Sequence, residues 1–175
     1  MESRLVLRML LSETAMETGR EDASRRRVLV VDDDTGIRDV LRDILEDAGY
    51  LVDEAANGKS ALRMLRASGH PRIVLLDLWM PEMDGLGVLG AVAEDAILRS
   101  RHAFVLVTAD PRAARRVDER LAGALHVPII AKPFEMAELL GVIEALGCAL
   151  DGNWQGGSEA DDSWHRQMRL IPRDF

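Results

Sequence analysis

The sequence has one cysteine, no long apolar run and no excess of basic residues. Cys148 stands alone in 175 residues, which excludes an internal disulfide and is typical of a reducing compartment. No apolar stretch approaches the roughly 20 residues that a helix needs to cross a bilayer. Asp and Glu outnumber Lys and Arg by 30 to 22, giving a net charge of −8. These features favour a cytoplasmic protein whose charge attracts neither nucleic acid nor a membrane.

The length and composition predict one domain with short additions at both ends. Hydrophobic residues make up 47% of the chain, enough for a sizeable core. We assign residues 25–148 to this domain, residues 1–24 to a loosely ordered N-terminal extension, and residues 149–175 to a linker and short C-terminal tail. The residues after 148 are too few for a helix-turn-helix output domain, so we expect a stand-alone module.

Five apolar segments alternate with five stretches of helical periodicity. The predicted strands are 28–31, 51–55, 73–76, 103–107 and 127–131, and the predicted helices are 35–48, 60–67, 86–98, 112–122 and 135–146. Repeated strand–helix units imply a parallel sheet with helices on both faces, which is an α/β fold. Pro128 lies inside the fifth predicted strand. Because proline is tolerated only in edge strands, that strand should lie at an edge of the sheet.

Polar residues follow four of the predicted strands. They are Asp32, Asp33 and Asp34 after the first, Asp77 after the third, Thr108 after the fourth and Lys132 after the fifth. In a parallel sheet these ends share one edge, where crowded carboxylates repel one another unless a cation lies between them. Oxygen ligands of this kind suit Mg²⁺. A hydroxyl and an ammonium group suit a phosphoryl group, and Asp77 would then be the nucleophile that forms an acyl phosphate.

Four motifs in this order resemble the receiver domain of two-component response regulators. They are VLVVDDD at 28–34, DLWMPEMDG at 77–85, Thr108-Ala109 and Lys132-Pro133-Phe134. The resemblance covers residues 25–148, about the whole predicted domain. It implies a flavodoxin-like (βα)5 three-layer sandwich with sheet order 2-1-3-4-5, in which the fifth strand is indeed at an edge.

The resemblance also implies a role for each strand-end residue. Asp77 would accept a phosphoryl group from a sensor histidine kinase or a histidine phosphotransfer protein. Thr108 and Lys132 would bind the phosphoryl oxygens, and the Lys132–Pro133 bond would be cis. The Mg²⁺ ligands would be Asp32, Asp33, Asp77 and the backbone carbonyl of Trp79. Asp34 is expected to cap the first helix instead.

Two positions depart from the family pattern. Ile129 stands three residues before the lysine, where receivers usually carry Tyr or Phe as a switch residue. Isoleucine is stiff at χ1 and has no hydroxyl, so the usual coupling between threonine and aromatic ring is in doubt. Trp79 stands two residues after the phosphoacceptor, where an indole would shield an acyl phosphate from water.

The expected function is a phosphoacceptor switch that alters a partner-binding face. By resemblance, the face formed by strands 4 and 5 would bind a downstream protein target or form a homodimer. Catalysis would be limited to self-phosphorylation and slow self-dephosphorylation at Asp77. The alternative is a non-switching adaptor with the same fold, which Ile129 favours.

Two other motifs indicate different functions less well. Gly85, Gly87 and Gly90 spell G-x-G-x-x-G, but the first glycine does not directly follow a strand, as a dinucleotide fingerprint requires. We expect these glycines to pack a helix against the sheet. Residues 32–35 half-resemble the nucleophile motif of haloacid-dehalogenase-like phosphatases, but the threonine comes one position early and no late acidic motif follows a strand.

Overall fold

The structure, a computed structural model, describes residues 25–110, 125 and 127–153. The strands are β1 (Arg27–Val31), β2 (Leu51–Ala55), β3 (Ile73–Asp77), β4 (Ala103–Thr108) and β5 (Ile129–Ala131). The helices are α1 (Thr35–Asp47), α2 (Gly58–Ala67), α3 (Gly85–Glu94), α4 (Ala96–Arg101) and α5 (Met136–Asn153).

The five strands form one parallel sheet in the order β2-β1-β3-β4-β5. This confirms the predicted flavodoxin-like topology. Successive side chains of a strand point to opposite faces, so the unalternating apolar runs supply two separate cores. One core packs Leu29, Val31 and their neighbours against α2 and α3. The other packs Val28, Val30 and their neighbours against α1 and α5.

The third predicted helix, 86–98, is wrong as a single element, because the chain forms two helices there. Asp95 ends α3 with its amide bonded to the carbonyl of Val92, at 3.1 Å. Its carboxylate begins α4 by accepting from the amides of Ile97 and Leu98, at 3.1 and 3.2 Å. An aspartate that satisfies two amides of a new helix competes with continuation of the old one.

The predicted start of the second helix was also late. The helix begins at Gly58 rather than residue 60, because Asn57 is its N-cap. The side-chain oxygen of Asn57 accepts from the amide of Ser60 at 2.9 Å. Gly58 is therefore the first residue of α2.

Pro128 was wrongly placed inside the fifth strand. The strand begins at Ile129, since proline has no amide hydrogen to donate to a ladder. The Pro128 carbonyl still accepts from the amide of Leu106 at 2.9 Å. The inference drawn from Pro128 nevertheless holds, because β5 is an edge strand.

The last helix was predicted to end at residue 146, but α5 continues to Asn153. Ala149 and Leu150 are buried, which explains why the helix continues past Gly147. The guanidinium of Arg26 bonds Asp151 Oδ2 through two nitrogens, at 2.8 and 3.2 Å. The boundary at 148 therefore cuts through a packed helix, and residues 149–153 belong to the domain rather than to a linker.

Several predictions fall outside the described residues. These are the extension 1–24, the helix 112–122 and the tail from residue 154 onward. Within the described ranges, no helix is both long enough and apolar enough to span a bilayer.

Candidate functional site

The sheet register brings the predicted polar residues to one edge. Val31 pairs with Leu76, so Asp32 and Asp77 occupy neighbouring positions where β1 and β3 end. Asp77 itself pairs with Val107, one residue before Thr108. Thr108 pairs with Ala131, one residue before Lys132. Parallel strands of matched length are therefore sufficient to gather these four residues.

Lys132 joins the two buried carboxylates at this edge. Its Nζ lies 2.7 Å from Asp32 Oδ2 and 2.8 Å from Asp77 Oδ1. Asp32 is only 4% exposed and Asp77 9% exposed, so neither carboxylate is well solvated. The cation that the crowded acids require is, in this structure, the lysine ammonium. Lys132, which the resemblance assigns to the phosphoryl oxygens, bonds carboxylate oxygens in this structure.

The shared environment shifts the pKa values of Asp77 and Lys132. Burial raises the pKa of Asp77 above its ordinary value, and the charge of Asp32 adds to this effect. The hydrogen bonds from Lys132 and from the Trp79 amide oppose the rise without cancelling it. Burial by itself would lower the pKa of Lys132, but its bonds to Asp32 and Asp77 outweigh burial and raise that pKa.

The loop after β3 holds Asp77 through its backbone. Asp77 Oδ2 accepts from the Trp79 amide at 2.7 Å, while the Trp79 side chain is 59% exposed. Gly85, the first residue of α3, bonds its amide to the Leu78 carbonyl at 3.0 Å. A Cβ on Gly85 would lie 2.6 Å from the Asp77 carbonyl oxygen, so the close approach requires glycine.

Of the three glycines of the G-x-G-x-x-G motif, only Gly85 packs a helix closely against the sheet. A Cβ at Gly87 would lie 3.1 Å from the Met83 side chain, and one at Gly90 would meet nothing within 4 Å. The expectation that the glycines share a packing role thus holds at the first of the three positions.

Thr108 and Ile129 lie beside this cluster. Thr108 is fully buried, and its Oγ1 accepts from the Asp110 amide at 3.1 Å. The hydroxyl hydrogen is therefore left for another acceptor. Ile129 is half-buried and packs against the core that contains Phe104 and Leu106. The aliphatic side chain fills the switch position as part of the core, and the Lys132–Pro133 bond is cis, as the resemblance implied.

The three consecutive aspartates after β1 have different environments. Asp32 is buried, whereas Asp33 and Asp34 are exposed. Asp34 is the N-cap of α1, accepting from the amides of Gly36 and Ile37 at 2.7 and 3.3 Å. This confirms that Asp34 is a capping residue. Over the ranges that the structure covers, no three His, Cys, Asp or Glu side chains gather into a metal site. The role of Asp33 as a Mg²⁺ ligand stays a prediction that rests on the resemblance.

The remaining donor set still suits a hard divalent cation. Two buried carboxylates share one ammonium, which leaves one negative charge uncompensated among these three groups. Mg²⁺ is commonly held by one or two carboxylates with several waters and phosphate oxygens. Asp32 and Asp77 satisfy that requirement without a third side chain.

One site residue had no signal in the sequence. Arg38 of α1 donates from Nη1 to the backbone carbonyl of Asp32, at 2.8 Å. Its position in α1 marks it as an ordinary charged residue of an amphipathic helix. Only the fold shows that it reaches back to the first acid of the site.

Comparison with known proteins identifies the family. Residues 28–144 match the model of the response regulator receiver domain. The chain belongs to this family. The response regulator MprA of Mycolicibacterium vanbaalenii is 39% identical over 125 residues, which cover 69% of this chain and 49% of the relative. The chain thus spans about half the length of the curated relatives it matches.

Solved structures agree with this assignment. Response regulator TrrA of Thermotoga maritima, crystallised with Mg²⁺ and BeF, aligns with a TM-score of 0.59 and 30% identity, covering 69% of this chain and 98% of that one. Chemotaxis protein CheY4 of Vibrio cholerae aligns with a TM-score of 0.61 and 27% identity, covering 70% and 99%. This receiver domain is a module of phosphorylation-based two-component signalling and not a classical enzyme.

Proposed function

We propose that Asp77 is the phosphoacceptor of a signalling switch. Its carboxylate is buried at the carboxyl edge of the sheet, bonds the Lys132 ammonium and lies beside Asp32, the residue that follows β1. This arrangement is the observation that carries the proposal. The donor would be a sensor histidine kinase or a histidine phosphotransfer protein, in the cytoplasm.

In the proposed reaction, an oxygen of Asp77 attacks the phosphorus of a phosphohistidine. The new P–O bond gives an acyl phosphate, and the P–N bond breaks with its electron pair returning to the imidazole. Asp77 must be ionised to attack. Burial raises its pKa and opposes ionisation, while the hydrogen bonds from Lys132 and the Trp79 amide favour the charged form. Lys132 is close enough to move from the carboxylates to the transferred oxygens, and the Thr108 hydroxyl hydrogen would donate to another.

Mg²⁺ would be held by Asp32, Asp33, Asp77 and the backbone carbonyl of Trp79. When bound, the cation would neutralise the charge that accumulates as an anionic phosphoryl group approaches two carboxylates. The related TrrA was crystallised with Mg²⁺ and BeF, which supports this choice of ion.

Phosphorylation would alter a partner-binding face through Thr108 and Lys132. Charge-assisted hydrogen bonds from these two residues contribute roughly 1.5–3 kcal/mol each. A shift from 1:99 to 99:1 between two states needs about 5.5 kcal/mol, so the contacts barely suffice for a full switch. With Ile129 at the switch position, we expect a partial shift. A face containing β4 and β5 would bind a downstream protein or a second copy of the chain.

The second candidate is an adaptor whose binding surface does not respond to phosphate. The packing of Ile129 into the core favours it. Incubation with Mg²⁺ and acetyl phosphate, followed by intact-mass measurement, separates the two. The switch predicts one added phosphoryl group that is absent from Asp77→Asn. An unmodified protein would support the adaptor, and repeated turnover of an organic phosphate would support a phosphatase.

A further inference from the structure

Arg38 of α1 makes three hydrogen bonds, and one of them reaches the edge of the sheet that carries the acids. Nη1 donates to the Asp32 carbonyl at 2.8 Å, Nη2 to Thr35 Oγ1 at 2.9 Å, and Nε to Glu54 Oε2 at 3.3 Å. The Arg38 side chain is only 12% exposed. All three guanidinium nitrogens therefore have partners in a mostly buried setting.

Asp32 is fixed at each of its polar atoms, and Arg38 supplies one of these contacts. The Asp32 amide donates to the Ala55 carbonyl at 3.2 Å, continuing the sheet pattern one residue beyond β1. Oδ1 accepts from the Asp34 amide at 2.9 Å, and Oδ2 from Lys132 at 2.7 Å. The carbonyl lies past the end of the strand, and Arg38 occupies it in place of a neighbouring strand.

Glu54 of β2 holds the guanidinium in place. One of its oxygens accepts from Arg38, and the other accepts from Arg42 Nη1 at 2.7 Å. The planar guanidinium can bond a carboxylate and a carbonyl at the same time with little loss of side-chain freedom. An ammonium group lacks this planar arrangement of donors, so lysine would not reproduce all three contacts.

We infer that Arg38 is a positioning residue that holds the main chain of Asp32 and thereby aims its carboxylate at the cation site. This role rests on the proposed function, because it presumes that Asp32 binds Mg²⁺. Outer groups that orient a metal ligand typically change metal affinity by about 10–100-fold when removed. Without Arg38, the residues from 32 to 36 would keep the cap of Asp34 but lose the anchor at the carbonyl of Asp32.

A matched control variant distinguishes the positioning role of Arg38 from a purely structural one. Arg42 lies on the same helix and bonds the same glutamate, yet none of its hydrogen bonds reaches Asp32. Arg38→Met and Arg42→Met each remove a guanidinium from Glu54, but only the first frees the Asp32 carbonyl. Arg38→Lys keeps the positive charge but removes the planar guanidinium group.

The experiment measures Mg²⁺ affinity by titration of amide chemical shifts, and hydrogen exchange at residues 33–36 without metal. We expect Arg38→Met to weaken Mg²⁺ binding about tenfold and to speed this exchange. Arg42→Met should change affinity by less than about twofold, since it leaves the Asp32 carbonyl bound. Arg38→Lys should fall between wild type and Arg38→Met.

Three results would count against this role. Wild-type affinity and exchange in Arg38→Met would overturn the positioning role while leaving the proposed function intact. Equal weakening by Arg38→Met and Arg42→Met would assign the effect to general packing and overturn it as well. A wild-type protein that binds no Mg²⁺ would overturn the proposed cation site and, with it, the role of Arg38.

Discussion

The ammonium of Lys132 is shared almost equally by Asp32 and Asp77, at 2.7 and 2.8 Å. These carboxylates end two neighbouring strands, and the lysine follows a third element at the sheet edge. The lysine therefore compensates a repulsion that the parallel register creates. This relationship makes Lys132 important for stability before any phosphoryl group arrives.

Replacing Lys132 with methionine should reduce the free energy of unfolding by about 3 kcal/mol, because it leaves two buried carboxylates without a compensating cation. Urea denaturation at neutral pH, without divalent cations, measures this change. Lys59→Met is the control. Lys59 pairs with Glu82 at 3.3 Å and both side chains are more than half exposed, so its loss should cost less than about 1 kcal/mol. Similar losses in both variants would contradict the compensating role.

Trp79→Asn should shorten the lifetime of the phosphorylated protein. The exposed indole follows Asp77 by two residues, and its loss would open a path for water to the acyl phosphate. We expect hydrolysis about tenfold faster, which corresponds to roughly 1.4 kcal/mol in the barrier. Intact-mass measurement at intervals after removal of the phosphodonor gives the rate. Trp79→Phe keeps an apolar ring and should decay at close to the wild-type rate; equal lifetimes in all three proteins would refute shielding.

Gly85→Ala should destabilise the domain by about 1–3 kcal/mol, because a Cβ would lie 2.6 Å from the Asp77 carbonyl oxygen and no flexible side chain can yield. Gly90→Ala is the matched change within the same helix. Nothing lies within 4 Å of a Cβ at Gly90, so alanine there should stabilise by about 0.5–1 kcal/mol. Thermal or urea unfolding of both variants tests the contrast, and a stable Gly85→Ala protein would contradict the close approach.

His102 should make the domain sensitive to mild acid. It is 1% exposed, and hydrogen bonding with the Leu65 backbone opposes the effect of this burial on its pKa without cancelling it. Burial, with help from the charge of Arg101, lowers the pKa of His102 from 6.5 to about 4. The unfolded chain therefore takes up the proton first, and the folded state loses stability as pH falls from about 6.5 toward 4.

The expected loss attributable to His102 between pH 7 and pH 5 is about 2 kcal/mol. Urea denaturation at the two pH values, for wild type and His102→Leu, isolates it from the titration of carboxylates. Between pH 7 and pH 5, the free energy of unfolding of His102→Leu should fall by about 2 kcal/mol less than that of the wild type. An equal loss in both proteins would mean that His102 titrates normally or not at all in this range.

The parallel sheet and the site edge were predictable because their causes are local and repeated, whereas the strand order was predicted from the family resemblance. Unalternating apolar runs such as 28–31 and 73–76 require burial on both faces, and each ends in a polar residue. A parallel sheet then places Asp32, Asp77, Thr108 and Lys132 together whatever the details of packing. The motif DLWMPEMDG at 77–85 also pointed to Asp77 as a site residue, through its resemblance to receiver domains.

Two kinds of feature were not predictable: the direction in which a side chain points, and the choice between continuing a helix and starting a new one. The helical spacing of apolar residues continues through 86–98, yet the cap at Asp95 divides it. Arg38 has no pattern that distinguishes it from other arginines of α1. The pairing of Lys132 with carboxylates follows from distances that composition and spacing do not contain.

The bond between Arg26 and Asp151 joins the start of β1 to the last turn of α5. Both lie at the amino-terminal edge of the sheet, away from Asp77. The two ends of the folded unit are therefore neighbours, so a short linker could close the domain into a ring. Opening that ring at an exposed residue such as Gly69 would give a circular permutant in which the order of the chain changes while the register at the opposite edge is kept.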